Sequence, residues 1–143
     1  MTDIAWRWRW PEVNSELLVS QAVADILDSH RQGLFGVERG GQLFVNPVNP
    51  EGLLLALATL RCRQEIQAAN EQGLRLVGYW HTHPQSVPVI SPADIGSFSR
   101  FAARYTQDLP HPIAVIVGKS EKPEGIKAWS FRDGRYVEAT WVR

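Results

Sequence analysis

The stretch from Gly78 to Asp94 reads GYWHTHPQSVPVISPAD and carries two histidines one residue apart, His81 and His83. In a β-strand, side chains at positions i and i+2 project from the same face. A strand from Tyr79 to His83 would therefore direct both imidazoles at one point. This spacing predicts a pair of metal ligands.

A third ligand follows at the predicted start of a helix. Ser91 suits the N-cap, Pro92 suits the first helical position, and Asp94 lies three residues after the cap. Two neutral imidazoles and one carboxylate would leave the fourth position of a tetrahedral zinc ion to water, which is typical of catalytic zinc. Taken singly, a capping box and a buried histidine each have an ordinary structural explanation. The whole pattern His-x-His-Pro-x6-Ser-x2-Asp favours metal binding.

This complete pattern resembles the JAMM, or MPN-plus, signature of zinc isopeptidases. Every fixed position of the signature is present. The resemblance implies that His81, His83 and Asp94 bind one zinc ion. It also implies that Ser91 donates a hydrogen bond to the tetrahedral intermediate and that Glu38 is the general base.

The segment Glu38–Phe44, ERGGQLF, resembles the family's element in which a glutamate in a strand precedes two glycines. The resemblance implies that Glu38 accepts the proton of the zinc-activated water and passes it to the leaving amine. Gly40 and Gly41 would let another chain approach the backbone closely. We therefore expect the tail of a substrate protein to bind beside these glycines by strand addition.

Three blocks of sequence indicate a narrower branch of the family. His30–Gln32, Gly40–Phe44 and Gly78–Pro84 resemble a bacterial branch found in integrative elements and CBASS anti-phage operons, beside ubiquitin-like E1 and E2 proteins. The branch implies a deubiquitinase-like isopeptidase that hydrolyses the amide bond after the C-terminus of a ubiquitin-like or conjugated protein. Two alternatives remain open: a metallopeptidase that processes a sulfur carrier or a ubiquitin-like precursor, and a non-catalytic MPN scaffold.

Length and composition narrow the class of protein. The 143 residues predict one domain, residues 1–143, and 15 basic against 15 acidic residues argue against a global surface for nucleic acid or anionic membrane. The single cysteine, Cys62, cannot form an internal disulfide, and no signal peptide is evident. No run approaches the roughly 18 apolar residues of a membrane span. A cytoplasmic location fits best, and the resemblance implies a bacterial one.

The N-terminal part predicts a strand and a helix. Ala5–Trp10, AWRWRW, alternates tryptophan with arginine and predicts an edge strand with an aromatic face. Apolar residues at helical spacing predict a core-facing helix from Asn14 or Ser15 to about His30.

The remaining elements predict an α/β (α+β) fold, a curved mixed sheet flanked by helices. The resemblance implies that this fold is of the JAMM/MPN, cytidine-deaminase-like type. The run from Asn49 to Gly73 could be one long helix, but the resemblance favours a strand at Leu53–Leu60 and a helix from Arg61 to Gln72. The further predictions are a helix over Pro92–Tyr105, a central strand over Ile113–Val117, and a terminal hairpin with arms Ile126–Phe131 and Tyr136–Trp141 around Asp133-Gly134.

Overall fold

The computed structural model describes residues 3–31, 39–60, 63–104, 111–132 and 134–143. The strands in these residues are β1 Ile4–Trp10, β2 Ser15–Ser20, β3 Gly40–Asn46, β4 Leu54–Leu60, β5 Arg75–Thr82, β6 Ile113–Val117, β7 Ile126–Arg132, β8 Arg135–Glu138 and β9 Thr140–Val142. The α-helices in the same ranges are α1 Gln21–Ser29, α2 Arg63–Glu71 and α3 Pro92–Arg104. The predicted fold class, a mixed sheet with helices against it, is confirmed.

All of these strands form one sheet, in the order β8-β7-β6-β5-β3-β4-β2-β1-β9. The β2/β4 and β5/β6 pairs are parallel and the other pairs are antiparallel. The outermost strands, β8 and β9, are separated along the chain only by Ala139. Because one residue spans at most about 3.6 Å, the two edges of the sheet must meet at that residue. The sheet is therefore strongly curved and nearly closed on itself.

The inside of the curved sheet holds the hydrophobic core. Helix α1 contributes Val23 and Leu27 to this core, and both are fully buried. The tryptophan indole of Trp10 donates a hydrogen bond of 2.8 Å to the carbonyl of Val137, which links β1 to β8 across the meeting edges. The strands contribute the following residues to the same cluster: Trp8, Trp10, Leu17, Val19, Leu43, Val45, Leu55, Ala58, Val77, Trp80, Ile113, Val115, Val117, Ile126 and Ala128.

The predicted start of the first helix is wrong. Residues Ser15–Ser20 form β2, and the helix begins at Gln21 with Ser20 as its N-cap, whose hydroxyl accepts a hydrogen bond from the backbone N–H of Val23. Strand β2 lies between β1 and β4 and is buried on both faces, so its apolar residues are consecutive. Such a run satisfies helix and strand patterns equally, which explains the error. The predicted end is confirmed, because His30 is the C-cap.

The predicted alternation of tryptophan and arginine in β1 is confirmed, but the prediction that this strand lies at an edge of the sheet is wrong. Trp8 and Trp10 are buried and Arg9 is exposed, as expected of a strand with one face on the core. The outer side of β1 is covered by β9, where Trp8 is the register partner of Trp141. The chain leaves the terminal hairpin after Glu138 to make this pairing, so the second arm of the predicted hairpin is shorter than expected.

The middle of the chain follows the strand-then-helix prediction. Strand β4 and helix α2 occupy the region, so the alternative of one long helix is wrong. Arg61, Cys62 and Tyr105 lie outside the described residues. The predicted central strand is confirmed as β6, in which every residue is buried. Among the described helices, none combines the length and apolar character that crossing a membrane would require.

Gly78 provides a direct test of how β5 and β6 pack. An added Cβ at Gly78 would lie 1.8 Å from the carbonyl oxygen of Ile113, so we expect Gly78→Ala to lower the free energy of unfolding by about 3 kcal/mol or more. The measurement is urea denaturation followed by tryptophan fluorescence.

The matched control is the same change at Gly96 in α3, where the nearest side-chain atom, of Arg100, is 3.5 Å from the added Cβ. Alanine is favoured over glycine in a helix by about 0.5–1 kcal/mol, so Gly96→Ala should be neutral or stabilising. Equal denaturation midpoints for Gly78→Ala and the wild-type protein would contradict the described pairing.

Candidate metal centre

Strand β5 brings the first histidine to the outer face of the sheet. His81 lies beside Tyr79 on this face, with ring centroids 5.7 Å apart and an interplanar angle of 21°. Trp80 points the other way into the core, where its indole N–H donates to the carbonyl of Thr59 at 3.0 Å. The prediction that Trp80 faces away from the ligand side is confirmed.

The second histidine continues the same pattern just past the end of β5. The backbone N–H of His83 donates to the carbonyl of Val117 at 2.8 Å, which extends the pairing with β6 by one step. The strand alternation therefore reaches His83, and its ring centroid lies 4.9 Å from that of His81. Both imidazoles lie on one face, as predicted.

Helix α3 supplies the carboxylate through a reciprocal capping box. The Ser91 hydroxyl accepts a hydrogen bond of 3.1 Å from the backbone N–H of Asp94. In return, Oδ2 of Asp94 accepts one of 2.8 Å from the backbone N–H of Ser91. These two bonds fix the carboxyl group in the first turn of the helix, with Oδ1 directed at the histidines.

Three ligand atoms converge at the centre. Asp94 Oδ1 lies 2.8 Å from His81 Nε2 and 3.2 Å from His83 Nε2, and the two Nε2 atoms are 3.1 Å apart. A tetrahedral ion with bonds of about 2.1 Å would separate its ligand atoms by about 3.4 Å, so the three atoms fit one face of such a site. The three side chains are 18%, 12% and 9% exposed in the order His81, His83 and Asp94. The cluster could therefore hold a metal ion that substrate can still reach.

The charge state of Asp94 suits cation binding. Burial by itself raises the pKa of this carboxyl, but the hydrogen bonds from Ser91 and the electrostatic influence of His81 and His83 outweigh burial. The resulting pKa is below the usual 3.8. At neutral pH Asp94 is therefore an anion beside two imidazole nitrogens.

Gln85 is a functional candidate that the sequence analysis missed. Its Oε1 lies 3.3 Å from Nδ1 of His83 and also accepts a hydrogen bond of 3.1 Å from the backbone N–H of Val89. Because a carbonyl oxygen only accepts, this contact requires a proton on Nδ1 and leaves the lone pair on Nε2 for a metal. The available signal was an amide side chain directly after the His-Pro pair.

The loop after His83 is tied to the end of β6. Backbone N–H groups of Lys119 and Ser120 donate to the carbonyls of Gln85 and Ser86 at 2.8 and 3.1 Å. Gly118 allows this approach, since an added Cβ there would lie 2.6 Å from the Gln85 carbonyl oxygen. The loop that carries Gln85 therefore has a fixed position next to His83.

Glu38, the predicted base, lies outside the described residues, so its role stays a prediction. The residue that follows it, Arg39, is held next to the candidate metal ligands. The Arg39 N–H donates to the hydroxyl of Thr82, and the Arg39 carbonyl accepts from the Thr82 N–H, both at 2.9 Å. Thr82 lies between the two histidines in sequence.

The strand-addition edge predicted at Gly40 and Gly41 is wrong. Strand β3 lies between β5 and β4, with Gly41 paired to both Trp80 and Leu60. Sequence alone does not reveal the order of strands, and β3 proved to be central. An added Cβ at Gly40 would lie 2.9 Å from the Trp80 carbonyl oxygen, so the close approach of β5 explains this glycine. A substrate contact at these glycines stays a prediction.

The ligand set leads to a stoichiometry prediction. We expect the protein to bind one zinc ion per chain. His83→Ala or Asp94→Ala should weaken zinc binding at least about 100-fold, because loss of a residue that only hydrogen-bonds to a metal ligand already costs about 10–100-fold in metal affinity. The measurement is competition with a chelating dye. His111→Ala is the matched control, since His111 is exposed and at the far end of β6. Unchanged zinc affinity in both ligand variants would contradict the site.

The chain is similar to known proteins both in fold and in sequence family. The fold is similar to the solution structure of protein DSY2949 from Desulfitobacterium hafniense, with a TM-score of 0.56 over 84% of this chain and 87% of that chain. The two sequences are 13% identical, so the similarity is one of fold alone. No curated protein matches the sequence. A family model described as prokaryotic homologs of the JAB domain matches residues 20–132. This match spans most of the chain, and the protein therefore belongs to the prokaryotic JAB-domain family.

Proposed function

We propose that the protein is a zinc-dependent isopeptidase that hydrolyses the amide bond after the C-terminus of a ubiquitin-like protein or its conjugate. The observation that carries the proposal is the convergence of His81, His83 and Asp94 on one point with the hydroxyl of Ser91 on the adjacent cap. The proposed setting is a bacterial cytoplasmic conjugation system of the anti-phage type, with E1-like and E2-like proteins as neighbours.

The donor set is suited to zinc. Two imidazole nitrogens and one carboxylate oxygen form a common catalytic zinc set with room for a further ligand. Zinc in such a site supplies Lewis-acid chemistry, polarising the scissile carbonyl and making water acidic enough to attack near neutral pH. His81, His83 and Asp94 would hold it, with Gln85 fixing the proton of His83 on Nδ1.

Glu38 is the proposed general base. Its carboxylate would take a proton from the attacking water and deliver it to the leaving amine. The support is the position of Arg39, whose backbone is bonded on both sides to Thr82, between the two histidine ligands. A base acting in this way typically contributes about 10²–10⁴ in rate.

Ser91 is the proposed donor to the oxyanion. Its oxygen already accepts the N–H of Asp94, which orients the hydroxyl group without using its proton. That proton is available for the negative charge that develops on the carbonyl oxygen, a contribution of about 10²–10³ in rate. One side chain would thus cap the helix and assist the reaction.

The loop between His83 and Ser91 offers a surface for a protein tail. Val87 and Val89 are large apolar side chains that are 40% and 60% exposed on this loop. An extended C-terminal tail could pack its apolar side chains there while its last carbonyl reaches the metal centre. This arrangement supports a protein rather than a small-molecule substrate.

The test is cleavage of a conjugate by zinc-loaded protein. The probe is a ubiquitin-like protein joined through its C-terminus to the side chain of a lysine. Release of this protein is followed by gel electrophoresis and mass spectrometry. We expect Glu38→Gln to lose at least about 10²-fold in rate. His111→Ala serves as the control and should match the wild-type rate.

Two Ser91 variants separate the cap from the chemistry. Ser91→Ala should lose about 1 kcal/mol of stability, whereas Ser91→Gly should lose only a few tenths, because glycine is also accepted at the N-cap. Both lack the hydroxyl, so both should lose about 10²–10³ in rate. A wild-type rate in either variant would remove Ser91 from the mechanism.

The remaining outcomes discriminate between functions. Equal cleavage by wild type and Glu38→Gln would contradict the base assignment. Cleavage only of an unconjugated precursor or a sulfur-carrier fusion would favour precursor processing over deconjugation. Absence of cleavage of all three substrates by zinc-loaded protein would contradict an enzymatic function.

A further inference from the structure

A cavity opens at the end of the curved sheet that is remote from the metal centre. Its volume is about 320 Å³, and core residues such as Leu17, Val45 and Ile113 form its floor. Arg75, which begins β5, and Arg132, which ends β7, also line it. The cavity therefore has an apolar floor and two cationic groups.

The cavity and the metal centre are separate sites. Arg75 lies six residues before His81 along β5, which corresponds to about 20 Å of strand. The floor of the cavity belongs to the core inside the sheet, whereas His81 stacks on Tyr79 on the outer face. A ligand in the cavity would not contact the metal ligands.

Arg132 reaches across the open end of the sheet. Its Nε donates to the hydroxyl of Ser130 and its Nη2 to the hydroxyl of Ser15 on β2, both at 3.1 Å. Both acceptors are neutral, and these two bonds use only part of the five N–H donors of a guanidinium. Among the residues that the structure describes, neither Arg132 nor Arg75 has a carboxylate within ion-pair distance. Arg132 is partly buried and Arg75 is exposed at the mouth of the cavity. The partly buried charge of Arg132 is stabilised by an anion.

The one acidic side chain in the described lining does not balance these arginines. Glu16 also lines the cavity, but its carboxylate binds Arg7 at 3.3 Å and Arg9 at 3.0 Å. Two guanidinium groups already surround it. Among the described lining residues, the charges of Arg75 and Arg132 are therefore not balanced, and the exposed His111 adds a further polar group at the same end.

We propose that this cavity binds a small amphipathic carboxylate, with its apolar chain against the core floor and its carboxylate bonded to Arg75 and Arg132. Guanidinium groups bind carboxylates with paired, charge-assisted hydrogen bonds. The volume is about twice the ~150 Å³ of an apolar cavity that accommodates benzene, so a chain of about eight carbons is a suitable size.

Octanoate is the probe, titrated by calorimetry into the zinc-loaded protein with octanol as the uncharged analogue. We expect saturable 1:1 binding, at least about tenfold tighter for octanoate than for octanol, since hydrogen bonds to a charged group are the stronger kind. The indole N–H signal of Trp10, which lines the cavity, should shift in NMR spectra during the titration.

Charge-removing variants locate the carboxylate. Arg75→Gln and Arg132→Gln should each weaken octanoate binding about tenfold and leave octanol binding unchanged. Arg143→Gln removes the same charge from an exposed residue outside the described lining and should bind like the wild type. Because Arg132 also links two strands, Arg75→Gln keeps the test decisive if the Arg132 variant is unstable.

Three results would overturn the proposal. The first is equal affinity for octanoate and octanol. The second is wild-type octanoate affinity in Arg75→Gln. The third is loss of octanoate binding in His81→Ala with retention in Arg75→Gln, which would assign the binding to the metal centre instead.

Discussion

The carboxyl group of Asp94 joins the two halves of the candidate metal centre. One oxygen accepts the backbone N–H of Ser91 and thereby belongs to the cap of α3, while the other faces the nitrogens of His81 and His83 at the end of β5. Each half uses ordinary local geometry, strand alternation in one case and helix capping in the other. The site exists because the loop between them brings α3 back over the outer face of the sheet.

The sheet makes that placement rigid. Strand β5 has neighbours on both sides, and Gly78 lets the carbonyl of Ile113 come close enough for β6 to pair with it. The loop after His83 is then bonded along the end of β6, and Gln85 contacts the ring of His83. Ligands on well-packed strands lose little conformational entropy when they bind, so the site is preorganised for an ion.

The sequence predicts the parts of the molecule that depend on local spacing. The histidine pair, the capping box of Ser91 and Asp94 and the buried strand β6 all follow from residues within a few positions of one another. The N-terminal helix boundary could not be predicted, because the apolar residues Leu17 to Val19 are compatible with either element. Non-local features were also inaccessible: the central position of β3, the pairing of β9 with β1, and the contact from Arg132 to Ser15, 117 residues apart. Those features arise when the sheet curves and its edges meet at Ala139.

The most direct test of metal binding by these three side chains is X-ray absorption spectroscopy of the zinc-loaded protein at one equivalent of metal. Binding by His81, His83 and Asp94 predicts a four-coordinate zinc with nitrogen and oxygen ligands at about 2.0–2.1 Å and the outer scattering of two imidazoles. In the spectrum of Asp94→Ala, the scattering of the two imidazoles should remain, whereas the contribution of the Asp94 oxygen should be lost. A spectrum with sulfur at about 2.3 Å, or with no imidazole scattering, would contradict the assignment of His81, His83 and Asp94 as the metal ligands.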